Sequence, residues 1–141
     1  MQKIVLTCII CTFIIIPLGA GAAGLDGSVP LLCSLTKAFE CYEDEGCIPA
    51  SVPGLNLPRF LKIDLAQKKV TGVKEGSRTT VIQNVSEIDG KLFLQGAEEA
   101  IENVRDGIGW TVAIMEDTGN MVLTGSGDDV AFSVFGACIP Q

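Results

Sequence analysis

Beyond residue 58, apolar and polar positions alternate with a period of two, the mark of half-buried strands. FLKIDL (60–65), KVTGV (69–73), RTTVIQNV (78–85), KLFLQG (91–96), GWTVAIM (109–115), MVLTGS (121–126) and VAFSVFGA (130–137) predict seven strands. Turn chemistry separates them: Glu75-Gly76, Asp89-Gly90, Asp117-Thr118-Gly119-Asn120 and GSGDD at 125–129. Ahead of this block the period changes. Leu31, Leu35, Ala38, Phe39 and Tyr42 recur at helical spacing, with Pro30 placed where a missing N–H costs little, which predicts an amphipathic helix over 31–42. Glu43, Asp44 and Glu45 suit the negative end of a helix poorly and Gly46 is a natural stop. Three prolines and Gly54 make 48–58 an extended connector. A second, shorter helical stripe, Ala97, Ala100, Ile101 and Val104, predicts a helix or long excursion over 97–105.

Short strands joined by tight turns make an antiparallel meander, and a meander removes its exposed edges by closing into a small barrel or a sandwich. The expected fold is therefore mainly β, a small barrel or sandwich with an N-terminal helix tied to it. Trp110, Val112, Ile114, Met121, Leu123, Val130, Phe132 and Val134 fall on the pleat face expected inside. Phe93, Val122 and Phe135 fall on the other face, which suggests that the helix covers part of the outside or that some strands are buried on both faces.

The first residues have a different character. Lys3 is followed by an apolar run over 4–16, Pro17, and the small residues Ala20, Gly21, Ala22 and Ala23, the layout of a secretory signal cut after Ala22 or Ala23. The run is shorter than the roughly 18 apolar residues of a spanning helix. Cys8 and Cys11 leave with it. The chain then divides into a signal (1–23), a helix with its Pro-rich connector (24–58) and an antiparallel β-domain (59–141), of which 24–141 forms one folding unit, exported to the periplasm or secreted.

Charge and composition narrow the chemistry. The chain has no His, which closes Ser-His-Asp and Cys-His catalysis, His-ligated zinc and imidazole pH switches. Loss of Lys3 leaves nine cations against 17 acids, a net charge of −8, so phosphate backbones and anionic lipids are not attracted. Nucleic acid and a stable membrane anchor are not expected partners.

Four cysteines remain: Cys33, Cys41, Cys47 and Cys138. In an exported small domain an even number reads as disulfides. On a helix, Cys33 and Cys41 would lie about 12 Å apart along the axis, beyond the ~7 Å Cα limit for a bridge. The favoured pairs are Cys33 with Cys138 and Cys41 with Cys47. The spacing lacks the close pairs of a zinc site.

Other candidate chemistry is weak. Glu40, Glu43, Asp44 and Glu45 lack the ligand order of a calcium loop and read as solvated. Gly125, Gly127, Asp128 and Asp129 read as a hairpin turn, because adjacent carboxylates repel phosphate. Asp64 with Glu116 is one of many carboxylate pairs of the kind that glycosidase chemistry uses, and nothing in the sequence fixes their separation. A Ser-Lys arrangement needs a desolvated Lys, and Lys62, Lys68, Lys69, Lys74 and Lys91 all fall where solvent is expected. Trp110 opens an apolar strand as core or as the lining of a ligand mouth. Asn84-Val85-Ser86 fits a glycosylation sequon, of consequence only in a eukaryotic secretory pathway. Catalytic, cofactor-binding and metal residues are left unassigned, and no cofactor is expected.

LPRFLKIDL (57–65), DGKLFLQG (89–96), GWTVAIMEDTGNM (109–121) and VFGAC (134–138), with the cysteines near the N-terminus, resemble a group of small exported proteobacterial proteins of unassigned function. The resemblance spans roughly 33–138; it implies a Gram-negative periplasmic or secreted setting and transfers no activity. Gly109-Trp110 lacks both the spacing and the first-strand position of the lipocalin motif. The reading that follows is a non-enzymatic module binding a partner protein or a small apolar ligand. Its alternatives are a hydrolase inhibitor resembling bacterial lysozyme inhibitors, or a small carboxylate-dependent hydrolase.

Overall fold

The computed structural model describes residues 24–74, 76–98 and 107–141. The expected signal at 1–23 lies outside them, as does most of the expected helix at 97–105, of which Ala97 and Glu98 finish a strand. Ten strands occur in the order β1 (Leu31–Tyr42), β2 (Gly46–Ala50), β3 (Phe60–Asp64), β4 (Lys69–Gly72), β5 (Thr79–Val81), β6 (Asn84–Glu87), β7 (Lys91–Glu98), β8 (Ile108–Met115), β9 (Asn120–Ser126) and β10 (Val130–Pro140). They form one antiparallel sheet, β5-β4-β3-β1-β10-β9-β8-β7-β6, with β2 added beside β1. This sheet coils into a half-barrel around a single apolar core.

The helix expected over 31–42 is a strand. Leu31, Cys33 and Leu35 point inward with the period of two, then the register against β10 slips between Leu35 and Lys37, and Ala38 is the next inward residue. A bulge of one residue shifts the parity of everything after it. Inward positions at 31, 35 and 38 therefore imitate a helical stripe. Thr36, the bulged residue, donates its hydroxyl to Phe135 O at 3.1 Å. No helix lies over the outside of the sheet among the described residues. There Phe39 meets Phe135 edge-on, 6.2 Å between ring centres.

Two further elements differ from expectation. The start of the connector pairs with β1 as β2, where Pro49 is tolerated because the strand is short and peripheral. The strand expected over 78–85 is bent. Its first part pairs with β4 and its second with β7, so the two ends of the sheet are consecutive in the chain. At the bend, Ile82 N donates to Lys68 O (2.9 Å) and Gln83 N to Gln95 O (2.8 Å), which ties both sides of the half-barrel to one corner.

Inside, Leu31, Ile63, Leu94, Val112, Ile114, Met121 and Val134 are fully buried, and no described polar or charged residue is. Of the residues expected inside, Trp110, Val112, Ile114, Met121, Leu123 and Val134 are buried, whereas Val130 and Phe132 are half-buried near one end. The opposite end is plugged by the leading segment, whose Leu25 is buried.

Both disulfides join directly opposed residues. Cys33–Cys138 links β1 to β10 across 105 positions of sequence, and Cys41–Cys47 clips the β1–β2 hairpin across 6. Along a strand, Cys33 and Cys41 stand about 26 Å apart, farther than on a helix. Two bridges fit an oxidising compartment. Loop-closure entropy makes the long link the stronger, about 4.7 kcal/mol against about 2 for the short one. Urea denaturation should show Cys33→Ala/Cys138→Ala losing at least twice the stability lost by Cys41→Ala/Cys47→Ala; equal losses would refute this ranking.

Candidate functional site

The core does not fill the half-barrel to both ends. Lateral rows of inward residues follow from the strand registers. One row, Ala38, Val134, Leu123, Val112 and Leu94, crosses five strands as apolar side chains. The next row toward the open end runs Phe132, Gly125, Trp110, Gly96, with aromatic residues and glycines alternating from β10 to β7. A Cβ on Gly96 would lie 2.3 Å from Trp110 Cζ2 and 2.6 Å from Val81 O, and one on Gly125 would lie 2.2 Å from Phe132 Cζ. Each ring thus rests on backbone that only glycine leaves bare.

Above these rows lies a cavity of about 490 Å³. Its apolar wall includes Leu61, Val70, Trp110, Val112, Leu123 and Phe132. The segment 51–58 folds over one side through Leu55 N to Ser51 O (3.1 Å), Asn56 N to Pro53 O (3.0 Å) and Leu57 N to Val52 O (3.2 Å). Val52 anchors this loop in the core, while Leu55 and Leu57 face the cavity. The Pro-rich stretch is therefore a cover for the open end.

Trp110, 8% exposed, is both core and lining. Its Nε1–H donates to Thr80 Oγ1 at 3.3 Å, joining β8 to β5 across the bend. At the rim, Arg78 Nη1 lies 3.6 Å from Glu98 Oε2, and Lys74 and Ser77 complete that side.

The other candidates lie elsewhere. Asp64 Oδ1 accepts from Gln67 N (2.9 Å) in the turn after β3. Glu116 follows β8 at the plugged end, near Glu87 and Asp26. Glu43, Asp44 and Glu45 are the exposed β1–β2 turn. Residues 127–129 form the β9–β10 turn, with Gly127 N donating to Val130 O (3.0 Å) and Asp129 at positive φ. Lys62, Lys68 and Lys69 are exposed away from the cavity, Lys74 is exposed at its rim, and Lys91 Nζ donates to Asp89 O (3.3 Å). Asn84 is exposed on β6. Among the described residues, no cluster of three His, Cys, Asp or Glu is placed to hold a metal ion.

Sequence reasoning missed the cavity's far wall, Leu61 and Val70, and the role of Thr80. The period of two puts Leu61 with Ile63 and Val70 with Gly72 on one face each; what it lacks is the bend that turns β5 toward Trp110. Compared with family models, curated proteins and solved structures, the chain matches none, so the site is read from its own residues.

Glu116 Oε1 is buried without a hydrogen-bond partner among the described residues. Desolvation first, then the charges of Glu87 and Asp26, hold this carboxyl above the ordinary carboxylate range. A raised acid stabilises the fold while protonated and loses that contribution as pH rises through its folded pKa. Asp26 runs the other way: hydrogen bonds from Ser28 keep it low, so its contribution is lost on acidification. Glu116→Gln should raise the urea midpoint at neutral pH and flatten its fall as pH rises above the ordinary carboxylate range; an unchanged profile would contradict this. Gly96→Ala should destabilise by about 1–3 kcal/mol and displace Trp110, seen as a red-shifted emission. Wild-type stability and emission would show that the ring does not rest on Gly96.

Proposed function

We propose that this chain is an exported, non-enzymatic binding protein that holds a small apolar ligand in the open end of its half-barrel. The observation that carries the reading is the cavity of about 490 Å³ walled by Leu61, Val70, Trp110, Val112, Leu123 and Phe132. Its volume lies within the roughly 300–1,000 Å³ of small-molecule sites, and an apolar wall with a few polar groups at one side is their usual make-up. Chemistry points to holding rather than turnover. The described lining carries a single carboxylate, Glu98, rather than a pair, and the Thr80 hydroxyl already accepts from Trp110.

Residues 1–23 support export, and the paired cysteines support an oxidising destination, the periplasm or the exterior. The resemblance to small exported proteobacterial proteins favours a Gram-negative setting.

Trp110 is the chain's one tryptophan, so its emission reports the cavity without a label. Titration of the mature protein with decanol, a neutral apolar probe, should give a saturable change in emission and a matching heat. Val70→Phe, which fills the cavity from its far wall, should abolish both while thermal unfolding stays cooperative. A wild-type protein that gives neither signal, or a filled variant that binds as before, would overturn the reading.

A further inference from the structure

The cavity's two sides differ in chemistry, and the difference bears on what the ligand carries at its exposed end. This inference rests on the cavity reading above. The inner wall is hydrocarbon and aromatic. Among the described residues, the polar side chains that the β4–β5 turn and the start of β5 bring to the cavity are Lys74, Ser77, Arg78 and Thr80. They share one property, the capacity to donate. Lys74 brings an ammonium, Arg78 five guanidinium N–H groups, and Ser77 a hydroxyl. Thr80 accepts from Trp110 Nε1, and its own O–H is then directed away from that donor.

Against this row stands Glu98, the one carboxylate of the described lining. Its oxygen is 3.6 Å from Arg78 Nη1, beyond hydrogen-bonding distance, and the two side chains are 68% and 36% exposed. An ion pair so long and so wet is weak. A ligand carboxylate can meet the guanidinium with two parallel N–H···O bonds, a stronger arrangement than the one Glu98 makes. The donors are gathered at this rim in a chain whose charge is otherwise acidic, −7 in full.

We propose that the cavity takes an amphiphile with one anionic head, an aliphatic carboxylate, its chain against Leu61, Val70, Val112 and Leu123 and its carboxylate held by Arg78 and Lys74 at the mouth. Glu98 is then the resident competitor. It occupies Arg78 when the site is empty and yields it to a ligand, and by like-charge repulsion it weakens binding of the very head that Arg78 attracts.

The test compares three probes of one chain length on the mature wild-type protein at fixed ionic strength, read by Trp110 emission: decanoate, decanol and decyltrimethylammonium. Decanoate should bind about tenfold more tightly than decanol, and the cation most weakly. In Lys74→Gln/Arg78→Gln the gap between decanoate and decanol should close, and in Glu98→Gln it should widen. Decanol binding as well as decanoate to the wild type, or a gap that survives in the double variant, would overturn the anionic head and leave the apolar cavity standing. Failure of all three probes to bind would overturn the cavity reading and this inference with it.

Discussion

The pairing of β1 with β10 holds the rest of the molecule together. These are the two longest strands, and they come from opposite ends of the described chain. β1 is bonded to β10 on one side and to β3 and β2 on the other, so it joins the β3–β4–β5 arm to the β7–β10 arm. Such a non-local pairing carries a large closure entropy, which the Cys33–Cys138 bridge removes from the unfolded chain. The same bridge is buried in the core, with Met121 Sδ 3.5 Å from Cys138 Sγ as a sulfur–sulfur contact.

With the two arms fixed at that seam, their far ends meet at the bend at Ile82 and Gln83, through the Trp110–Thr80 hydrogen bond and through the Arg78–Glu98 ion pair. At the end near the bridge Leu25 plugs the half-barrel. At the other end the inward row has glycine at two of four positions, so side-chain volume falls there. The cavity is thus a consequence of the sheet's closure at one end, and the Pro-rich segment covers it without filling it.

Most of the sheet could be read from the alternation of residues after position 58, since each strand has one wet face and one dry face and the turns between them are rich in Gly, Asp and Asn. Met121, Leu123, Val112 and Ile114 were legible as core for that reason. The N-terminal strand was not, because the bulge at Thr36 turns a period of two into spacings that a helix shares. The site was half legible. Trp110 could be named as a lining candidate, but its partners Thr80, Leu61 and Val70 come from the other arm, and no local pattern records that the strand over 79–87 bends to bring them there. The glycines facing Trp110 and Phe132 carry the signal that the sequence does offer for this end: a bare backbone position beside each aromatic ring.

Native-state hydrogen exchange tests the role of the seam most directly. In the oxidised protein the amides of β1 and β10 flanking Cys33 and Cys138 should be the slowest to exchange, and reduction should remove protection from both arms together. Slowest exchange confined to β7, β8 and β9, with those strands still protected after reduction, would show that the sheet stands without its β1–β10 link and would contradict this account.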